Sequence, residues 1–170
     1  MPYLLRPRPN SGKFWLDVTW LIVIACFQCS ILPSITGSVI YIDLLTSWLT
    51  VSVIRQDLFR GFILAAITAL ALETHSTLPA GIYFCIYGVI VAVVANLKDP
   101  FSWMHNMPWS VSIILANLWA VVFEVIVLAI LNDGMPFFEW RIVLVYLSRL
   151  AFSIPFGLLL AQREIKALMQ

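Results

Sequence analysis

The sequence predicts an all-α integral membrane protein with six transmembrane helices. Of its 170 residues, 62% are hydrophobic and only 11% are charged, and the mean hydropathy is +0.96. A soluble domain of this length has no interior large enough to bury so much apolar surface, so lipid must surround part of it. The apolar residues also recur in runs of membrane-spanning length, and the basic residues gather on one side of those runs.

Six apolar runs cover most of the chain, and the short connections leave no room for a separate soluble domain. Residues 1–170 are therefore predicted to form a single polytopic membrane domain. Each run can cross a hydrocarbon core of roughly 30 Å, the third only marginally because its uncharged part is short. The predicted spans lie at about residues 14–32, 38–54, 58–78, 78–97, 110–131 and 141–161.

The distribution of basic residues predicts the orientation. Six crossings place both termini on the same side of the membrane, and eight of the ten Lys and Arg residues fall on that side. Arg141 is alone on the opposite side, with Asp133 and Glu139 nearby. Cytoplasmic loops are enriched in Lys and Arg, so both termini are predicted to be cytoplasmic. The eight residues are Arg6, Arg8, Lys13, Arg55, Arg60, Lys98, Arg163 and Lys166.

Polar residues of the second and third spans lie toward the predicted outer side. Asp43 opens a stripe of hydroxyl residues on one face of the second helix, and Glu73 and His75 begin the segment "ETHSTLPAG". Polar, irregular backbone at membrane depth is tolerated only when it is buried in protein or lines a wet cavity. These three residues, together with Glu124 of the fifth helix and Arg149 of the sixth, therefore predict an outer polar cluster, which either bonds the helices together or lines a ligand pocket.

Small residues spaced four apart form ridges on the third, fifth and sixth helices. Small side chains at this spacing let a neighbouring helix approach closely, so we expect these ridges to face protein rather than lipid. The predicted packing residues are Gly61, Ala65, Ala69, Ser112, Ala116, Ala120, Ser153 and Gly157.

Glu124 lies inside the apolar run "LWAVVFEVIVLAI", where a carboxylate costs about 2.5–3.5 kcal/mol on insertion scales. It ends the small-residue ridge of the fifth helix, and Arg149 lies at a matching depth on the antiparallel sixth helix. We expect an intramembrane ion pair, because arginine binds a carboxylate with two bonds and stays charged. The alternatives are a proton or ion relay through Glu124, and separate contacts of the two residues with lipid or a partner.

No motif for enzymatic chemistry occurs in the sequence, which has no phosphate-binding loop, nucleophile elbow or metal-ligand spacing. Cys26 and Cys29 form a Cys-x-x-Cys sequence, but inside an apolar helix they are expected to pack as small apolar side chains. The net charge of +1 gives no indication of nucleic-acid binding. We expect no enzyme activity, no metal site and no cofactor.

Several short patterns occur in order between about residues 40 and 130. Asp43 and two leucines open the second span, Gly61 and a phenylalanine open the third helix, and the polar turn "STL" at 76–78 follows that helix. The fifth span carries an acid in a Val/Ile setting, Glu124 in "VVFEVIV". In a chain of about six spans with a short basic tail, these patterns resemble the rod shape-determining protein MreD family.

Two positions depart from that family's pattern. The family usually has an Asp in the third span where this chain has Ala71, and the acid appears two residues later as Glu73. Pro79 stands where the family has a Gly after the Leu. Residue roles at this turn are therefore not carried over.

The resemblance implies a non-enzymatic scaffold of the bacterial cell-wall elongation machinery, located in the inner (cytoplasmic) membrane as a multi-pass protein. MreD-like proteins bind MreC and act with the glycosyltransferase RodA and a class B penicillin-binding protein. They act indirectly with the MreB filament and help control rod shape and peptidoglycan synthesis. Membrane lipid is the other expected partner, and nucleic acid is not one.

The alternative function belongs to a different class. MreD-like folds resemble the S-components of energy-coupling-factor vitamin transporters, which are six-helix proteins that bind a small molecule in an outward-facing pocket. Asp43, Glu73 and Arg149 could supply such a pocket. The first helix, "FWLDVTWLIVIACFQCSIL", lacks the Ala-x-x-x-Ala motif through which S-components typically dock to their coupling subunit.

Overall fold

The computed structural model describes residues 11–31, 42–76, 78–97, 106–131 and 140–168. These residues form helices and turns, with no strand among them, which confirms the predicted all-α class for this part of the chain. A π-helical segment, Phe27–Ile31, continues the first helix. The helices are α1 (Ser11–Cys26), α2 (Leu44–Arg55), α3 (Leu58–Glu73), α4 (Ile82–Leu97), α5 (Asn106–Leu131) and α6 (Trp140–Leu168).

Three helical stretches are long and apolar enough to cross a membrane, namely Gly12–Ile31, Trp109–Leu131 and Ile142–Ala167. Helices α2 and α4 are apolar but shorter. Their 12 and 16 residues span about 18 and 24 Å at the helical rise of 1.5 Å per residue. The molecule is therefore a helical protein with the features of a membrane protein.

The third and fourth helices are shorter than the apolar runs that predicted them. Helix α3 ends at Glu73 rather than near residue 78. At this end, Thr74 donates its backbone N–H to the carbonyl oxygen of Leu70. Helix α4 begins only at Ile82, after Gly81 has turned the chain with a φ of +95°. This left-handed conformation suits glycine because a Cβ would be strained there. The turn between α3 and α4 therefore includes residues that composition alone assigns to the third and fourth spans.

The other helix bounds also differ from the predicted spans. Helix α2 begins at Leu44, and the earlier part of its predicted span, 38–41, lies outside the described residues. Helix α6 continues to Leu168 instead of ending near residue 161. Its extension carries Arg163, Glu164 and Lys166. A helix can continue past its apolar run when its charged side chains reach water or ionic partners.

Helix α2 is the central element of the bundle, and it contacts each of the other helices. Most of its residues are buried, including the polar Thr46, Ser47, Thr50 and Ser52. Asp43 caps its first turn by accepting a hydrogen bond from the N–H of Thr46. A short apolar helix with such a polar stripe can be stable in lipid because the neighbouring helices satisfy its polar groups.

The helices run antiparallel between two ends of the bundle. Asp17 near the beginning of α1 and Glu164 near the end of α6 both bind Arg55 at the end of α2. We call this the proximal end. The distal end holds the α3–α4 turn and the beginning of α2, where the Gln28 side chain binds backbone N–H groups of α2. The beginning of α1 and the end of α6 therefore lie at the same end.

The structure buries all eight of the predicted packing residues. The closest approach occurs at Gly157, where an added Cβ would lie 2.7 Å from Cγ2 of Ile113 and 3.1 Å from Ser47. At Gly61 an added Cβ would lie 3.3 Å from Cγ1 of Val91. The small-residue ridges therefore hold the bundle together internally.

Candidate functional site

Arg149 is buried between two carboxylates, with only 2% of its surface exposed. Its Nη1 donates to Oε2 of Glu124 at 2.5 Å, and its Nε donates to Oδ2 of Asp43 at 3.0 Å. Its Nη2 donates to the same Asp43 oxygen. The structure thus brings Glu124 and Arg149 together, and it adds Asp43 from the predicted outer polar cluster. We call these three residues the Arg149 cluster.

Asp43 is the most fully engaged member of the Arg149 cluster, and its exposed fraction is 0%. Its Oδ1 accepts from the N–H of Thr46 at 2.9 Å, and its Oδ2 accepts from the Thr46 hydroxyl at 2.6 Å. Its backbone N–H donates to Oγ of Ser153 at 2.9 Å. One carboxylate therefore caps α2 and binds the arginine of α6, so the start of α2 and the position of Arg149 depend on each other.

Hydroxyl and amide groups extend the Arg149 cluster across four helices. The Thr46 hydroxyl of α2 lies 3.2 Å from the hydroxyl of Tyr87 on α4. Ser47 donates to the carbonyl oxygen of Ser153 on α6 at 2.6 Å, and Asn117 of α5 donates to Oγ of Ser47 at 3.2 Å. Helices α2, α4, α5 and α6 are therefore joined by side-chain hydrogen bonds in the interior, where the low dielectric constant strengthens them.

The Arg149 cluster carries one more negative than positive group. Asp43, Glu124 and Arg149 have a formal charge of −1 when all three are ionised. Arginine stays protonated in proteins, so Arg149 holds the carboxylates and cannot pass on a proton itself. Glu124 is the less buried of the two acids, with an exposed fraction of 7%, and it also interacts with Tyr83.

A cavity of about 350 Å³ adjoins the Arg149 cluster. Its wall includes Glu124 and Arg149, the aromatic residues Tyr83 and Tyr146, and Gln28 from the π-helical segment. Small-molecule pockets have volumes of about 300–1,000 Å³, and they combine an apolar wall with a few placed polar groups. The cavity has the size and the mixed lining of such a pocket.

The remaining members of the predicted outer polar cluster lie apart from Asp43. Glu73 accepts a hydrogen bond from the N–H of Gly81 at 2.7 Å, so its carboxylate stabilises the α3–α4 turn. His75 is exposed at the rim of the cavity, and its Nδ1 lies 3.1 Å from the carbonyl oxygen of Ala71. The structure therefore bonds Asp43, Glu124 and Arg149 of the predicted cluster together, whereas Glu73 stabilises a turn and His75 lines the cavity.

A second, partly buried ionic cluster lies at the proximal end. Arg55 binds Asp17, which is 2% exposed, and its Nη1 lies 2.7 Å from Oε1 of Glu164. Gln56 donates to the other oxygen of Asp17 at 2.9 Å. These contacts tie the beginning of α1 to the end of α2 and the end of α6. We call these four residues the Arg55 cluster.

Sequence reasoning missed the Arg55 cluster and several neighbours of Arg149. Asp17 and Gln28 each interrupt the first apolar run, and a polar residue inside a span is itself a signal of an internal partner. Arg55 was interpreted only as a cytoplasmic charge, because the positive-inside pattern does not distinguish a solvated arginine from a paired one. Tyr83 and Tyr87 gave no signal, since tyrosine is common in apolar helices.

Among the residues that the structure describes, no three His, Cys, Asp or Glu side chains are grouped so as to hold a metal ion. Comparison of the chain with protein-family models, with curated proteins and with solved structures finds no match. The two clusters, the cavity and the outer surface are therefore the features that bear on function.

Proposed function

We propose that the protein is a non-enzymatic scaffold of the MreD type in the bacterial inner membrane, where it serves the cell-wall elongation machinery. One observation carries the proposal. Asp43 and Glu124, two of the positions on which the resemblance to that family depends, bind the same buried arginine although they lie on different helices. Two positions that match the family's sequence pattern and bind the same arginine support a fold shared with that family.

The outer surface also supports a scaffold. Because the small-residue ridges are buried inside the bundle, they are not available to partner helices. The faces that remain are apolar and aromatic, and on α1 they include Trp15, Trp20 and Phe27, which are 67%, 48% and 41% exposed. Such faces suit contact with lipid or with the transmembrane helices of partners such as MreC and RodA, where close van der Waals packing drives association.

The proposal includes six membrane crossings with both termini in the cytoplasm, in an arrangement like that of the energy-coupling-factor S-components. It is supported by the antiparallel order of the helices and by the common position of the start of α1 and the end of α6. The short α2 would cross as a buried element.

Affinity purification in mild detergent, followed by mass spectrometry, tests the scaffold function. The expected result is recovery of MreC, RodA or a class B penicillin-binding protein above the level seen with an unrelated tagged membrane protein. A photo-crosslinker at the exposed Trp20 should capture the partner, whereas one at the buried Ala116 should not. Recovery of none of these proteins from cells that contain all of them would contradict the proposal.

The cavity favours a second candidate function, the small-molecule-binding component of an energy-coupling-factor transporter. Its volume of about 350 Å³ suits a small ligand, although α1 lacks the expected docking motif. The same purification distinguishes the candidates, since a transporter component would recover a pair of ATPases and a coupling membrane subunit. Native mass spectrometry of the purified protein would then show a vitamin-sized mass.

A further inference from the structure

Two carboxylates and one guanidinium lie beside or behind the wall of the cavity, so the Arg149 cluster has a formal charge of −1 when all three groups are ionised. Arg149 contacts Asp43 through two nitrogens and Glu124 through a third. Asp43 lies fully buried behind the arginine, whereas Glu124 lines the cavity. The negative charge that the single guanidinium does not balance therefore acts toward the cavity through Glu124. A cation in the cavity would stabilise the ionised form of Glu124, because a buried carboxylate without a full counter-charge otherwise tends to take up a proton.

The rest of the described wall suits an organic cation better than an anion. An anion would approach Arg149, but two carboxylates already surround that guanidinium. Tyr83 and Tyr146 line the cavity, and a tyrosine can attract an ammonium group through its ring or its hydroxyl oxygen. His75, the other basic side chain of the wall, directs its Nδ1 toward the carbonyl oxygen of Ala71.

We propose that this cavity binds an organic ammonium group, with Glu124 as its counter-ion and Tyr83 and Tyr146 beside it. The source of that group is either the headgroup of an aminophospholipid or a free small amine. A metal ion is disfavoured because the described wall offers a single carboxylate together with an arginine. The proposal goes beyond the scaffold function and does not depend on which proteins bind the outer faces.

Thermal unfolding of the purified, delipidated protein, followed by tryptophan fluorescence, measures the binding. The probes are short-chain phosphatidylethanolamine, phosphatidylglycerol with the same acyl chains, and free ethanolamine. Phosphatidylethanolamine should raise the unfolding temperature in a saturable manner, and phosphatidylglycerol should not. A saturable shift with free ethanolamine as well would assign the site to small amines, whereas a shift with the lipid alone would assign it to the headgroup.

Two variants and one control make the test specific. Glu124→Gln removes the surplus charge while its amide oxygen can still accept from Arg149, so the protein should fold and bind phosphatidylethanolamine about tenfold more weakly. Val145→Trp should abolish the shift by filling the cavity without changing its charge. Glu164→Gln makes the same chemical change in the Arg55 cluster and should leave the shift unaltered.

Three outcomes would overturn the proposal. The first is equal stabilisation by phosphatidylethanolamine and phosphatidylglycerol, which would show that any lipid acts by coating the apolar surface. The second is an unchanged shift in both cavity variants. The third is the absence of a saturable shift with either ammonium probe. Co-purification of elongation proteins would be unaffected by any of these, so failure here is separable from failure of the scaffold function.

Discussion

At the residue scale, the structure depends on one arginine that serves two acids on two other helices. Each hydrogen bond from Arg149 to a carboxylate replaces a hydrogen bond to water that is lost when the side chain is buried. A buried ionic group of this kind contributes specificity as much as stability, because any other packing of α2, α5 and α6 would leave a charge unpaired. Substitutions of the three residues should therefore lower the free energy of unfolding by different amounts.

Replacement of Arg149 by leucine should be the most damaging change in the Arg149 cluster. It leaves Asp43 and Glu124 buried without a counter-charge, and loss of one partner of a buried pair costs about 3–5 kcal/mol. Unfolding of the detergent-solubilised protein by added dodecyl sulfate would measure the loss. Arg163→Leu, at an exposed position of the same helix, should be close to neutral. Equal stability of the two variants would contradict the assigned role.

The two acids should differ in their importance. Asp43→Asn removes a charge that accepts from Thr46 and from two nitrogens of Arg149, so the free energy of unfolding should fall by about 1–3 kcal/mol. Glu124→Gln keeps its bond to Arg149 and brings the cluster to neutrality, so its cost should be under about 1 kcal/mol. The same unfolding assay ranks them, and the reverse order would refute this assignment.

At the element scale, α2 is short and central, and its neighbours supply hydrogen-bond partners to the polar groups that it buries. Its first backbone N–H groups would be unsatisfied at membrane depth, but Gln28 accepts from Leu44 at 2.9 Å and from Leu45 at 3.1 Å. The π-helical segment that carries Gln28 thus directs a side-chain acceptor at the start of another helix. Close contacts with α5 and α6 complete the packing of α2.

Replacement of Gln28 by leucine should destabilise the start of α2. The change leaves two buried N–H groups without an acceptor, which should lower the free energy of unfolding by about 1–3 kcal/mol. Hydrogen exchange of the full-length protein, read by mass spectrometry of its peptides, should be faster at Leu44 and Leu45 relative to the rest of α2. Gln162→Leu, at an exposed position of α6, is the matched control and should leave exchange in α2 unchanged. Unchanged protection in the Gln28 variant would mean that the cap is dispensable.

Replacement of Gly157 by alanine should separate α6 from α2 and α5. The new methyl group would lie 2.7 Å from Ile113, closer than side chains in a packed interior tolerate, and such overpacking costs about 1–3 kcal/mol. Gly88→Ala in α4 provides the control, because an added Cβ there has nothing within 4 Å. Since alanine favours helix more than glycine does, the control should be neutral or stabilising. Thermal unfolding of the two variants tests the contrast.

At the scale of the whole molecule, two ionic clusters fix the bundle at different depths. The Arg55 cluster joins α1, the end of α2 and α6 at the proximal end, and the Arg149 cluster joins α2, α5 and α6 nearer the distal end. Helix α2 and helix α6 take part in both. Because both helices are held at two points, neither can slide along the other without breaking a buried ion pair.

The proposed orientation predicts the location of each end of the bundle. Green fluorescent protein fused after Gln170 should fluoresce, because it folds in the cytoplasm. Alkaline phosphatase inserted within residues 132–139 should be active, because that connection is predicted to lie outside. Phosphatase at the carboxyl terminus and fluorescent protein at 132–139 are the reciprocal controls and should be silent. The reverse pattern would invert the orientation and place the cavity on the cytoplasmic side.

Particular residues mark how far sequence reasoning reached. The cost of a charge in lipid and the matching depths of Glu124 and Arg149 were sufficient to predict their pairing, which the structure places at 2.5 Å. The spacing of small residues predicted which faces are buried. Asp43 and Arg149 were expected in the same outer polar cluster, but the direct bond between them was not predicted, because they are 106 positions apart and their contact depends on how α2 rotates within the bundle. The partner of Asp17 was missed for the same reason.

By itself, the sequence determined the class of the protein and the direction of its internal faces. Hydropathy, charge distribution and residue spacing are properties of consecutive residues, and they act before any helix meets another. Tertiary structure alone decided that α2 lies at the centre, that one arginine serves two acids, and that a cavity remains beside them. These features depend on the relative rotation and depth of helices that are distant in the chain, which only the packing of the whole bundle specifies.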